Sequence, residues 1–197
     1  MYSSLSVVLL ALRNLLGLSN NQLIMSLLDR FKKITTIALD VDGVLTDGTL
    51  LLLEDGQMAR RMNIKDGYAL QLAVKKGYRL LIISGGQSEA VRERLQKLGI
   101  RDVFIRAENK TAILENYRQQ YSLEWEEILF MGDDIPDFAA MQLVGLPCAP
   151  ADAAAEIKQL SAYISPYKGG EGCVRDILEK IMKLRGDWQI DTTVSSK

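Results

Sequence analysis

Asp40 and Asp42 stand one residue apart at the end of an apolar run, residues 34–39, and Gly43 follows them. The run has strand composition and is too short for a helix, and the glycine marks its end. Residues i and i+2 of a strand point to the same side, so both carboxylates can face one small space. Two carboxylates that close repel each other unless a cation or a shared proton lies between them. The pair suits a metal site in which one aspartate attacks phosphorus and the other moves a proton. Taken alone, the same D-x-D-G ending is equally a solvated turn, since Asp and Gly are turn formers.

Three further stretches carry polar groups of matching chemistry. Ser84, Gly85 and Gly86 end a second apolar run, residues 80–83. A hydroxyl beside exposed backbone N–H groups can hold phosphate oxygens, although Ser-Gly-Gly alone is a common turn. Lys110 opens a helical pattern after a third short run, where it can neutralise a phosphate or a nucleophile or simply be a solvated helix residue. Gly132, Asp133 and Asp134, with Asp137 three residues on, end a fourth run, residues 128–131. Carboxylates are the hard oxygen ligands that Mg²⁺ takes, and such clusters also cap helices. In open α/β sheets the ligand lies beyond the carboxyl ends of the strands. Four polar groups in order, each at such an end or in the loop after it, favour a site over four unrelated turns.

The elements that would position these groups follow from hydrophobic period. Strands are expected at 34–39, 80–83, 103–105 and 128–131, with a weak one at 143–146 and an edge strand at 162–164. Helices are expected at 27–33, from 66 to Gly77, at 88–98, from about 108 to 121, after Pro136, at 151–160 and at 172–184. Apolar strands alternating with helices imply an α/β fold: a doubly wound, mostly parallel sheet covered on both faces. Residues 49–53 and 57–62 flank Glu54-Asp55-Gly56 and read as a β-hairpin, either a flap over the acidic strand end or a plain surface hairpin. No large cap domain is expected. Residues 25–185 make the domain, residues 1–24 an N-terminal extension without a chemical role, and residues 186–197 a polar, flexible tail. The apolar stretch 5–16 is broken by Arg13 and Asn14, too short to span a bilayer, and fits a signal peptide poorly.

Composition narrows the chemistry. The 197 residues include no histidine, which excludes Ser-His-Asp and Cys-His catalysis and every His-ligated metal. Acid/base work must come from carboxylates, Lys, Tyr or Cys. Two cysteines, Cys148 and Cys173, make neither a disulfide framework nor a zinc cluster and fit a reducing compartment. A formal net charge of −1 gives no polyanion surface, so neither nucleic acid nor membrane is expected as a partner.

On these residues the chain resembles the haloacid dehalogenase superfamily of aspartate-nucleophile phosphatases. Asp40-Val41-Asp42-Gly43-Val44 fits its first motif, Ser84 its second, Lys110 its third, and Gly132-Asp133-Asp134 with Asp137 its fourth. DVDGVLTDG, NIKDGYALQ, ENK, GDDIPD and KGGEGCVRDI are similar to the group that acts on 3-deoxy-manno-octulosonate 8-phosphate, which carries only a hairpin for a cap. The resemblance implies that Asp40 is the nucleophile and that Asp42 is the acid/base, with a pKa raised by its neighbour Asp40. It implies Mg²⁺ on Asp40, the backbone carbonyl of Asp42, and Asp133. Lys110 would neutralise the carboxylates, Ser84 would bind a transferring oxygen, and Asp134 and Asp137 would support or cap. Asn63, Ile64, Lys65, Asp66 and Gly67 would line the sugar pocket, with Gln71, Gly85, Gly86 and Arg94 nearby. It further implies a cytoplasmic homotetramer in which neighbours cover each site. Gln71 and Gly86 stand where the group often has arginine, the natural bidentate partner of a carboxylate. Lys65, Arg60, Arg61 or Arg175 would have to supply that charge, and a nonulosonate 9-phosphate or another sugar phosphate stays open. A receiver-like phosphoacceptor module is the reading from another class; Asp42, an acid/base two residues from the acceptor, speaks against it.

Overall fold

The computed structural model describes residues 20–194. Six parallel strands form one sheet in the order β5-β4-β1-β6-β7-β8. These are β1 (Thr36–Leu39), β4 (Arg79–Ile83), β5 (Asp102–Phe104), β6 (Ile128–Met131), β7 (Leu146–Ala149) and β8 (Tyr163–Ile164). Helices α1 (Asn20–Lys33), α2 (Ile64–Lys75), α3 (Glu89–Lys97), α4 (Lys110–Gln120), α5 (Phe138–Met141), α6 (Ala155–Leu160) and α7 (Cys173–Arg185) cover it.

Period 2 in the central strands builds two cores. Ile37, Leu39, Ile82, Leu129 and Met131 pack into one apolar cluster with α1, α2 and α7. Their neighbours Ala38, Leu81, Ile83, Ile128 and Phe130 face the other cluster, with α4 and α5. A strand buried on both faces reads as a continuous apolar run, which is why these strands stood out. The expected α/β class and doubly wound sheet are what the chain adopts. The chain fills the sheet outward from β1 to β5, then returns to β6 on the other side of β1. The reversal makes β1 and β6 the switch point, where a crevice opens at the carboxyl ends.

Some boundaries differ from expectation. The strand expected at 143–146 lies at Leu146–Ala149. The preceding turn is fixed from outside: the Gly145 carbonyl accepts Arg30 Nε at 2.7 Å, and its N–H donates to Trp125 O at 2.7 Å. The helix expected at 151–160 begins at Ala155, because the loop before it serves the site. Asp152 Oδ1 accepts Gly169 N at 3.0 Å, and Ala154 N donates to Asp133 O at 2.8 Å. The helix expected at 27–33 starts at Asn20, so the boundary placed at Met25 falls inside α1; the apolar stretch 5–16 lies outside the described residues. Beyond Gly186 the chain, expected to be loose, lies along α2 as far as Val194. Trp188 meets Tyr68 edge to face, and Asp191 pairs with Lys75 at 2.6 Å.

The hairpin is β2 (Leu51–Leu52) and β3 (Met58–Ala59), antiparallel and apart from the main sheet. It is the whole of the cap among the described residues. Its Leu51, Leu52 and Met58 are 64%, 70% and 53% exposed.

Candidate active site

β1 and β6 run in register, Leu39 beside Met131, and Asp40 N donates to Met131 O at 3.1 Å. Residues just past both strand ends therefore share the crevice. Asp40 is buried there at 8% exposure. The loop after it folds back on Val41, whose carbonyl accepts Leu45 N at 2.9 Å and Thr46 N at 3.0 Å. Gly43 has φ +88°, and a side chain on it would collide with the Asp133 carboxylate, so only glycine lets the two strand ends close.

Lys110 is the first residue of α4, after the N-cap Asn109. Its Nζ lies 2.9 Å from Asp40 Oδ1 and 2.6 Å from Asp137 Oδ1. Burial pulls the ammonium down, but Asp40 and Asp137 together outweigh burial, and it sits above the ordinary lysine value. Pro136 opens a single 3₁₀ turn, Ile135–Asp137, that returns Asp137 over the strand end. Asp137 Oδ2 accepts Asp133 N at 3.1 Å. A side chain on Gly132 would collide with Asp137, which explains the glycine before the aspartates.

Asp40, Asp133 and Asp137 each offer a carboxylate oxygen, all within 4.8 Å of one another. Burial first, then the Asp137 carboxylate, pushes Asp40 up to about 7. Burial first, then Asp40, does the same to Asp133. Asp133 Oδ1 is buried without a hydrogen-bond partner. Three hard oxygens, two of them reluctant to ionise and one orphaned, fit a small divalent cation such as Mg²⁺.

Asp42, Ser84, Gly85 and Gly86 line the same cleft of about 460 Å³ as Asp40, Lys110 and Asp133. The four strand-end groups are thus brought together. Ser84 is buried, with its Oγ accepting Gly86 N at 3.0 Å. Asp134 is exposed at the cleft edge. The carboxylates that crowd Asp40 are Asp137 and Asp133, not Asp42 as expected. The side chain of Asp42 is forked by Arg60, Nε to Oδ1 at 2.7 Å and Nη2 to Oδ2 at 3.2 Å. Sequence reasoning placed Asp137 in support only; its D-x-x-D spacing around a proline held the sign that it turns back to the strand end.

Of the expected substrate-side residues, Gly85, Gly86 and Lys110 line the acidic cleft and seven others stand beside it in the single chain. Asn63, Ile64, Lys65, Asp66, Gly67, Gln71 and Arg94 are not among the residues lining the acidic cleft. Asn63 Oδ1 caps α2 at Lys65 N, 2.8 Å, and its Nδ2 donates to Gly170 O at 3.2 Å. Asp66 is 1% exposed and accepts Arg175 N at 2.7 Å, capping α7 from a neighbouring helix. Arg94 approaches Gly67, where an added Cβ would stand 3.1 Å from its Nη2. Gln71 Nε2 donates to Gly67 O at 3.4 Å, and Ile64 is 67% exposed. Lys65 borders a separate cleft with Arg175.

A doubly wound sheet without a large cap, with four acidic residues, a buried lysine and a serine at the switch point, agrees with what comparison shows. Residues 54–145 match the model for haloacid dehalogenase-like hydrolases. The chain belongs to that family, as one of its phosphatases. It is 30% identical over 155 residues to the 3-deoxy-D-manno-octulosonate 8-phosphate phosphatase KdsC of Escherichia coli K12, covering 79% of this chain and 82% of that one. The phosphatase of the same name from Moraxella catarrhalis, solved with magnesium, phosphate and KDO, is 28% identical with a TM-score of 0.80, covering 86% of this chain and 95% of that one. Its counterpart from Yersinia pestis is 26% identical with a TM-score of 0.80, over 82% and 88% of the two chains.

Proposed function

We propose that the chain is a Mg²⁺-dependent phosphomonoesterase for a sugar-acid phosphate, 3-deoxy-D-manno-octulosonate 8-phosphate, working through an aspartyl phosphate. The observation that carries this reading is the meeting of Asp40, Asp133 and Asp137 around Lys110 at the switch point. The names of the relatives supply the substrate.

Asp40, Asp133 and Asp137 offer the side-chain oxygens that would hold the ion, with the Asp42 carbonyl as a further candidate. When bound, Mg²⁺ neutralises the carboxylates and draws charge from the phosphoryl oxygens. Lys110 fixes Asp40 through its 2.9 Å contact and lowers the repulsion an incoming phosphate meets. Asp40 Oδ attacks phosphorus, forming a P–O bond as the bond to the sugar oxygen breaks. Asp42 donates a proton to that oxygen. It then takes one from water, which attacks phosphorus and releases phosphate from Asp40. Ser84 Oγ and the Gly85 N–H receive equatorial oxygens, where transition-state charge spreads. Asp42 also separates this reading from a receiver module, which needs no acid/base beside its acceptor.

Assembly as a homotetramer belongs to the same proposal, and the exposed leucines of the hairpin support it. So does a cytoplasmic place, with small sugar phosphates rather than nucleic acid or membrane as partners. No helix among the described residues is long and apolar enough to cross a membrane. The test is phosphate release from a panel of sugar phosphates with and without Mg²⁺. Octulosonate 8-phosphate should be the best substrate, and Asp40→Asn should release none. Equal release by wild type and Asp40→Asn ends the mechanism; preference for a nonulosonate 9-phosphate corrects the substrate.

A further inference from the structure

Arg60 follows β3 and reaches from the hairpin into the cleft wall. Its side chain is 9% exposed, a cation enclosed beside the acid/base. A guanidinium has five N–H donors. Two go to the Asp42 carboxylate and one, from Nη1, to Met58 O at 3.3 Å. Two N–H groups, one on each terminal nitrogen, are left over from these bonds. Beside them is a small recess that Arg60, Asp42, Ser84 and Gly86 share. Glycine keeps the recess open: a Cβ at Gly86 would stand 3.1 Å from Asp42 Oδ2, 3.2 Å from Ser84 Oγ and 3.4 Å from Arg60 Nη2. The other cations considered for a substrate carboxylate stand apart from this recess. Arg61 pairs with Asp47 at 2.8 Å, Arg175 with Glu179 at 3.3 Å, and Lys65 borders another cleft.

We propose that Asp42 holds the place of the substrate's own carboxylate on Arg60. Asp42 serves the ester oxygen between phosphorus and sugar, so Arg60, one contact further out, lies on the sugar side. A sugar acid entering the cleft presents a second planar carboxylate to the same fork. As the guanidinium passes to the substrate, both oxygens of Asp42 come free for the ester oxygen. A neutral sugar phosphate leaves Arg60 on Asp42 and the acid/base engaged. Arg60 thus sets preference for anionic leaving groups through a positioning exchange. The inference rests on the sugar-acid reading.

Competition for one cation has a signature in binding that does not depend on turnover. Free 3-deoxy-D-manno-octulosonate, the unphosphorylated sugar acid, is titrated into the full chain by calorimetry, with mannose and inorganic phosphate as controls. Asp42→Asn should bind the sugar acid about tenfold tighter than wild type, because the competitor is gone. Arg60→Ala should weaken it about tenfold, and Arg60→Lys should recover part of that loss. In Arg60→Ala/Asp42→Asn the gain from Asp42→Asn should vanish. Arg60→Gln, which retains most of the stem, guards against a folding defect in Arg60→Ala. A gain that persists without Arg60 reflects general charge and overturns the exchange, as does a gain confined to phosphate. In turnover, Arg60→Ala should raise the ratio of KM for octulosonate 8-phosphate to KM for mannose 6-phosphate by about tenfold; an unchanged ratio overturns it. If wild type releases no phosphate from either compound, the sugar-acid phosphatase reading fails, while the binding series still decides the role of Arg60.

Discussion

Lowering the pH should weaken magnesium binding steeply. Burial and neighbouring carboxylates hold Asp40 and Asp133 at about 7 each, well above the ordinary aspartate value. A divalent cation binds the ionised carboxylates, so below pH 7 it must expel protons to enter. Well below that value each expelled proton weakens binding about tenfold per pH unit, and less so near it, where the group is already half ionised. From pH 7 to pH 6 the ionised fraction of a group at about 7 falls from about one half to about one eleventh, so Kd for Mg²⁺ should rise about fivefold if one proton is displaced and about thirtyfold if both are, and should level off above pH 8. Calorimetry in two buffers of different ionisation enthalpy measures the affinity and counts the protons released. Asp133→Asn deletes the carboxylate whose buried Oδ1 has no partner. It should reduce the proton count by about one and weaken binding by at least about tenfold. A Kd that stays constant from pH 6 to pH 8, or an Asp133→Asn variant with unaltered affinity, refutes the placement of the ion between these carboxylates.

Lys110→Ala strips the cation from two buried carboxylates and should cost about 3–5 kcal/mol in urea unfolding with chelator present; saturating Mg²⁺ should restore part of it, and a neutral outcome would mean that the lysine is not the counterion of the site. Gly43→Ala places a side chain at φ +88° against Asp133, so it should lose Mg²⁺-induced thermal stabilisation while its circular dichroism stays native; retained stabilisation would show that the strand ends have room. Asp66 is held up at about 6 by burial, against 3.8 unperturbed. Its contribution to stability is therefore complete below about pH 4 and lost as pH rises through 6, a change of about 3 kcal/mol. Asp66→Asn does not titrate, so its stability relative to wild type should improve by about that amount from pH 4 to pH 7; a constant difference would place an uncharged Asp66 outside the pH response.

The central strands were legible because each is apolar on both faces and ends in a polar group. Asp40, Ser84, Lys110 and Asp133 were therefore found as a set, and the sheet order explains why they meet. What sequence could not show was pairing across distance. The fork between Asp42 and Arg60 spans 18 positions and depends on how the hairpin leans. Nor was it visible in one dimension that Asn63 and Asp66 cap helices, or that Lys65 borders a cleft along α7. β7 was misplaced because Pro147 discourages a strand assignment, yet its carbonyl accepts Ala162 N at 2.9 Å and its missing N–H is tolerated in register with Phe130.

The glycine loop before α7 carries a consequence for synthesis on the ribosome. Gly170 N donates to Val44 O at 3.0 Å, and Gly169 packs so tightly on Gly43 that a methyl group there would collide with its carbonyl. The turn that follows Asp40 is thus buttressed by residues translated more than a hundred positions later. A nascent chain that has already made Asp40, Ser84, Lys110 and Asp133 still lacks that support. The order of synthesis runs opposite to the order of support: the turn after Asp40 emerges early and gains its buttress only when residues 169–170 have folded back onto it.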